Sequence, residues 1–110
     1  MVRNPNVVDY DVITVADTAN DIISLGALTA LPTSAKSFTG VLETAGIRAR
    51  GDGTDPTASE GVLISPGAVI YLSSSDIANM KFIRDTSTSG VIRGHYYDVE
   101  VGPLIGKGGA

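Results

Sequence analysis

The sequence contains no cysteine, no tryptophan and a single histidine, His95. Without thiols there is no disulfide framework, no thiolate metal cluster and no cysteine nucleophile. One imidazole is too few for a histidine-rich metal centre. Charge is also scarce: 18% of the 110 residues are Asp, Glu, Lys or Arg, against about a quarter in an ordinary soluble domain. The 12 acidic and 8 basic side chains sum to −4. That balance argues against a nucleic-acid partner, because following a phosphate backbone needs a net basic face. No apolar run approaches roughly 18 residues, so no membrane partner is expected. Residues 1–6 hold no apolar stretch, and no secretory signal is expected there.

What is abundant is β-branched. Val (11), Ile (10) and Thr (10) make up 31 of the 110 residues, while Leu contributes 7. Such side chains suit a pleated, half-buried surface and lose rotamer freedom in a helix. The 13 Gly and 5 Pro are spread along the chain at turn-like positions. Short β-rich runs between Gly, Pro, Ser and Asp clusters predict an all-β fold. The expected architecture is one domain over 1–110, an antiparallel two-sheet β-sandwich of jelly-roll type, with an immunoglobulin-like sandwich as the other arrangement. Extended arms are expected at 1–6 and at 102–110, the latter Gly-rich. A mean hydropathy of +0.18 with so few charges points to surface buried against other subunits.

Along the chain, strands are expected at Val7–Val15, Ile22–Leu25, Ser37–Glu43, Ile47–Arg50, Val62–Ile64, Ala68–Leu72, Met80–Arg84 and Val91–Val101. In the first, Val8, Tyr10 and Val12 alternate with Asp9, Asp11, Ile13 and Val15. Gly40 inside a strand suggests a bulge or a close backbone approach. Ala68–Leu72 is apolar on both faces, which marks a central or an interface strand. Asp76 is expected to cap a helical turn over Ile77–Asn79.

The candidate chemistry is thin. His95 with Asp98 invites a hydrolase triad, but no Ser sits in a Gly-x-Ser-x-Gly elbow, so His95 reads as a surface or structural residue. Asp52, Asp55 and Glu60 share a Gly-rich loop. Counted from Asp52, an EF-hand register places Thr54 and Pro56 at ligand positions, so turn chemistry explains the loop better than calcium. Arg50-Gly51-Asp52 spells an integrin tripeptide at a strand end, where Gly-Asp turns are common. Gly106-Lys107-Gly108 lacks the spacing of a phosphate loop. No catalytic residue, metal or cofactor is expected. Of the tyrosines, one of Tyr96 and Tyr97 must face outward, towards a subunit or a sugar.

The stretch from Ala45 to Gly61, continuing through Ser65-Pro-Gly-Ala-Val-Ile-Tyr-Leu72, Phe82-Ile-Arg84 and His95-Tyr-Tyr97, resembles small virion proteins of tailed bacteriophages. The resemblance spans about residues 44–97. It implies a self-associating β-sandwich, often a trimer, without catalytic residues. It fits a capsid decoration or cement protein that sits at capsomer junctions of the head shell as a homotrimer, with the major capsid protein as partner. The location would be the virion, after synthesis in the host cytoplasm. A tail, baseplate or head-fibre component, or a carbohydrate-binding module using Tyr96 or Tyr97 with loop 51–61, are the alternatives. Candidate interface residues are Val2, Arg3 and Pro5 in one arm, Leu104, Ile105 and Lys107 in the other, and Val69, Tyr71 and Tyr96 between them.

Overall fold

The computed structural model describes residues 7–28 and 30–100. Seven strands and two short helices follow in the order β1 (Val7–Val15), α1 (Ile22–Leu25), β2 (Ser37–Glu43), β3 (Ile47–Arg50), β4 (Val62–Ile64), β5 (Val69–Ser73), α2 (Ser74–Asn79), β6 (Lys81–Arg84) and β7 (Gly90–Tyr97). They form two antiparallel sheets, β1-β7-β2-β5 and β4-β3-β6. The chain crosses from one sheet to the other between β2 and β3, β4 and β5, β5 and β6, and β6 and β7. Between β1 and β2 it touches the second sheet through an Asn20–Phe82 bridge beside β6. This is the connectivity of a jelly roll whose eighth strand, next to β6, is reduced to one bridge. The expected all-β sandwich is therefore present, with seven strands.

The core lies between the sheets. The larger sheet contributes Ile13, Val15, Phe38, Leu42, Ile70, Leu72, Ile92 and Tyr96, and the smaller one Ile47, Ala49 and Phe82. Ile22 of α1 and Ile77 of α2 add to it from the two helices. At the centre of the larger sheet Gly40 of β2 stands opposite Gly94 of β7, next to the cross-strand pair Phe38 and Tyr96. Those rings tilt against each other with centroids 5.0 Å apart. A β-carbon on Gly40 would strike the Phe38 ring and Ile92, and one on Gly94 the Thr39 carbonyl and the Gly40 backbone. The glycine inside the strand thus marks a close backbone approach.

Three local expectations change. Ile22–Leu25 is a helical turn, not a strand: the Asp21 side chain accepts from the Ser24 amide and caps it. The cap of α2 is Ser73, whose hydroxyl accepts from the Asp76 amide while the Asp76 carboxylate accepts from the Ser73 amide, a reciprocal capping box. The last strand ends at Tyr97. Beyond it the chain crosses the end of β2, where the Ser37 hydroxyl donates to the Val99 carbonyl at 2.6 Å. Glu100 then accepts from the Ser74 hydroxyl at 2.7 Å.

Candidate interaction surface

The register of the larger sheet lays its outward side chains out in rows. One row runs Tyr10, His95, Thr39, Tyr71 across β1, β7, β2 and β5, and the next runs Val12, Arg93, Val41, Val69. A third begins Thr14, Val91, Glu43. Tyr10, Val41, Val69 and Tyr71 remain 39–49% exposed, so this face presents rings and branched methyls to solvent. The rings of Tyr10 and His95 lie 5.5 Å apart, and those of His95 and Tyr97 6.4 Å apart. Arg93 makes a 3.0 Å ion pair with Glu43, and the neighbouring Tyr10 hydroxyl and Glu43 carboxylate raise its pKa. Both members of that pair are half-exposed, so its energetic worth is small. The pair's main effect is to neutralise the patch.

Two of the expected interface residues, Val69 and Tyr71, lie on this face, at the edge strand β5. The strand is not central, and its two apolar faces have different roles: Ile70 and Leu72 enter the core, and Val69 and Tyr71 face out. Tyr96 is corrected. It is fully buried, and burial together with the nearby Asp11 and Asp21 carboxylates pushes its hydroxyl pKa up. The outward member of the pair is Tyr97. Val2, Arg3, Pro5, Leu104, Ile105 and Lys107 lie outside the described residues. Sequence reasoning missed Tyr10 and Val41 on the outer face, and Val62 and Leu63 on β4, which are 68% and 51% exposed. A signal existed for the latter pair: no charged residue occurs from Gly61 to Ser75.

Loop 51–61 belongs to the smaller sheet. Arg48 anchors it, donating to the carbonyls of Ala58 and Gly61 and pairing with Asp85 at 2.9 Å. Pro56 is buried beneath it. The loop acids are drawn to cations of the chain: Asp52 takes two hydrogen bonds from Arg50, at 3.1 and 2.6 Å, and Asp55 pairs with Lys81. The Arg50 guanidinium and the Thr54 amide hold the Asp52 carboxyl at about 2. The Arg-Gly-Asp tripeptide is thus closed on itself, its two charges spent on each other. Beside it a cavity of about 380 Å³ is lined by Arg50, Asp52, Glu60, Val62 and Met80, among others. Among the described residues no three His, Asp or Glu side chains converge as a metal site would require. Tyr97 and loop 51–61 sit on different sheets, so the pair invoked for sugar binding is not brought together.

No protein-family model matches this chain, and no curated protein or solved structure is similar to it.

Proposed function

We propose that this is a structural protein of a tailed-bacteriophage virion, a decoration or cement protein that lays the outer face of its larger sheet against coat-protein subunits of the head shell. The observation that carries the reading is that face: four strands wide, with Tyr10, Val41, Val69 and Tyr71 about half exposed and its single Arg neutralised by Glu43. A patch of rings and methyls gains free energy from contact area without a deep pocket. Repeated over a symmetric shell, many modest contacts add to a large resistance against opening of the joints. The virion resemblance of residues 44–97 supplies the context. Trimeric binding at capsomer junctions, with the major capsid protein as partner, is part of the same proposal.

The test is to add purified protein to head shells that lack it, measure co-sedimentation, and image the loaded particles. Many copies at three-fold or quasi-three-fold positions are expected. A Val41→Asp/Tyr71→Asp variant should bind roughly tenfold more weakly or worse, since charge would be buried unpaired in the joint. A few copies confined to the tail would replace the shell reading with a tail or baseplate role. Failure to associate with any part of the particle would end it.

A further inference from the structure

A sandwich of two sheets has four edges, and this one treats them unequally. The β1 edge is guarded three ways. Its register is broken by a bulge between Val7 and Asp9. The Asp9 carboxylate takes the Tyr10 amide at 2.8 Å. Gly26 bridges Ile13, with the Ala27 amide on the Val12 carbonyl. The β6 edge is covered by residues 16–20, between β1 and α1, through the reciprocal Asn20–Phe82 hydrogen bonds and the Arg84 amide on the Ala16 carbonyl. Bulges, edge charges and covering segments are the devices that keep a sheet from pairing with another chain.

β5 opens with a bulge, where Gly67 and Ala68 together face Leu42, but its ladder is regular from Val69 to Ser73, and among the described residues neither β4 nor β5 carries an edge charge or a covering segment. They follow each other in the chain across the Ser65-Pro66-Gly67 turn, so both open edges meet at one corner of the molecule. The Leu42 amide donates to the Ala68 carbonyl at 3.0 Å. Antiparallel alternation then turns the backbone groups of Ile70 and Leu72 towards β2, and those of Val69 and Tyr71 towards the open side. The side chains along the corner are Val62, Leu63, Val69 and Tyr71, between 41% and 68% exposed. The whole run from Gly61 to Ser75 is uncharged.

We infer that the β4–β5 corner is where a second copy of this chain adds, edge to edge, through the free backbone groups of Val69 and Tyr71. The charge pattern selects the occupant. Copies of a chain with net charge −4 repel, and like charges placed opposite one another weaken strand pairing. This corner meets its own image with no such opposition, whereas the β1 and β6 edges would oppose Asp9 to Asp9 or Lys81 to Lys81. An antiparallel β5–β5 pair closes a dimer with one continuous sheet. A β5 edge against a neighbour's β4 edge closes a ring. The first covers Val69 and Tyr71, and the second covers Val62 and Leu63 as well. The inference concerns contact between copies and does not depend on the shell reading.

The experiment is sedimentation of the full chain over a concentration series reaching about 1 mM, beside Val69→Lys, Leu63→Lys and, as a control on the guarded edge, Thr14→Lys. The wild type and Thr14→Lys should self-associate alike, and each corner variant should weaken association roughly tenfold or more. Circular dichroism establishes that each variant is folded. Hydrogen exchange supplies a readout free of mutation: the Val69 and Tyr71 amides should be protected at high concentration and exchange freely on dilution. A wild type that stays monomeric throughout, or corner variants that associate as the wild type does, would overturn the inference. A monomer that still loads onto shells would overturn it alone, and an oligomer that ignores shells would instead count against the proposed function.

Discussion

At Asp11 a carboxylate that is 2% exposed sits on the inner face of β1, and its two oxygens have different surroundings. Oδ1 accepts from the amides of Val12, Ala27 and Leu28, which ties the segment after α1 to the strand. Oδ2 is buried without a partner, and so is the Tyr96 hydroxyl. Hydrogen bonds to a charged acceptor are worth about 1.5–3 kcal/mol each way of counting, while a buried polar atom with no partner is a cost. Asp11→Ala should therefore destabilise the domain by about 2–3 kcal/mol, because the Val12 and Leu28 amides lose their acceptor and the Ala27 amide is left with the Val12 carbonyl. Tyr96→Phe should leave stability unchanged or raise it by up to about 1 kcal/mol, because it deletes an unpaired hydroxyl and keeps the ring against Phe38. Urea midpoints at constant slope measure both. A large loss on Tyr96→Phe would show that the hydroxyl is satisfied, for instance by an internal water. This residue-level detail was not legible beforehand. The alternation in Val7–Val15 was visible, but a face carrying two aspartates does not look like the one that enters the core. Asp11 goes inside because local amides replace its water.

Strand positions were more legible than strand partners. Ser37–Glu43, Ile47–Arg50 and Val62–Ile64 coincide with the expected runs, since each is a β-rich stretch cut off by Gly, Asp or Pro. Ile22–Leu25 failed for the opposite reason: four apolar-rich residues carry no period of their own, and the Asp21 cap decides. The outer-face row depends on register, which pairs residues tens of positions apart and leaves no local trace. Gly40 and Gly94 each stand inside an expected strand, but that the two face one another could not be read from either run. Their packing makes an ordered prediction. A methyl at position 94 meets backbone atoms of the neighbouring strand, which cannot move aside without breaking the ladder. At position 40 it meets the Phe38 ring and the Ile92 methyl, at 2.8–2.9 Å, and side chains can rotate away. Gly94→Ala should cost about 3 kcal/mol and Gly40→Ala about 1–2 kcal/mol, the two ends of the usual overpacking range. Equal losses in paired denaturation curves would mean that the two strands separate as easily as the rings shift.

For the molecule as a whole, stability and assembly draw on different parts of the chain. Every fully buried apolar residue of the described fold lies between Ile13 and Tyr96, and the last ties described after β7 are the Ser37–Val99 and Ser74–Glu100 hydrogen bonds. Removing residues 104–110 leaves all of these in place. The shortened chain should melt cooperatively within about 4 °C of the full chain, less than the shift that roughly 1 kcal/mol produces in a domain of this size. If the C-terminal tail works as a contact arm, the same truncation should lower the loading of shells while the melting curve stays put. The two readouts separate cleanly. A fall in melting temperature beyond that margin would make the tail part of the fold, and reduced loading would then report instability. Unchanged loading with an unchanged melt would assign shell contact to the sheet face alone, and Val41 and Tyr71 would become the residues that decide it.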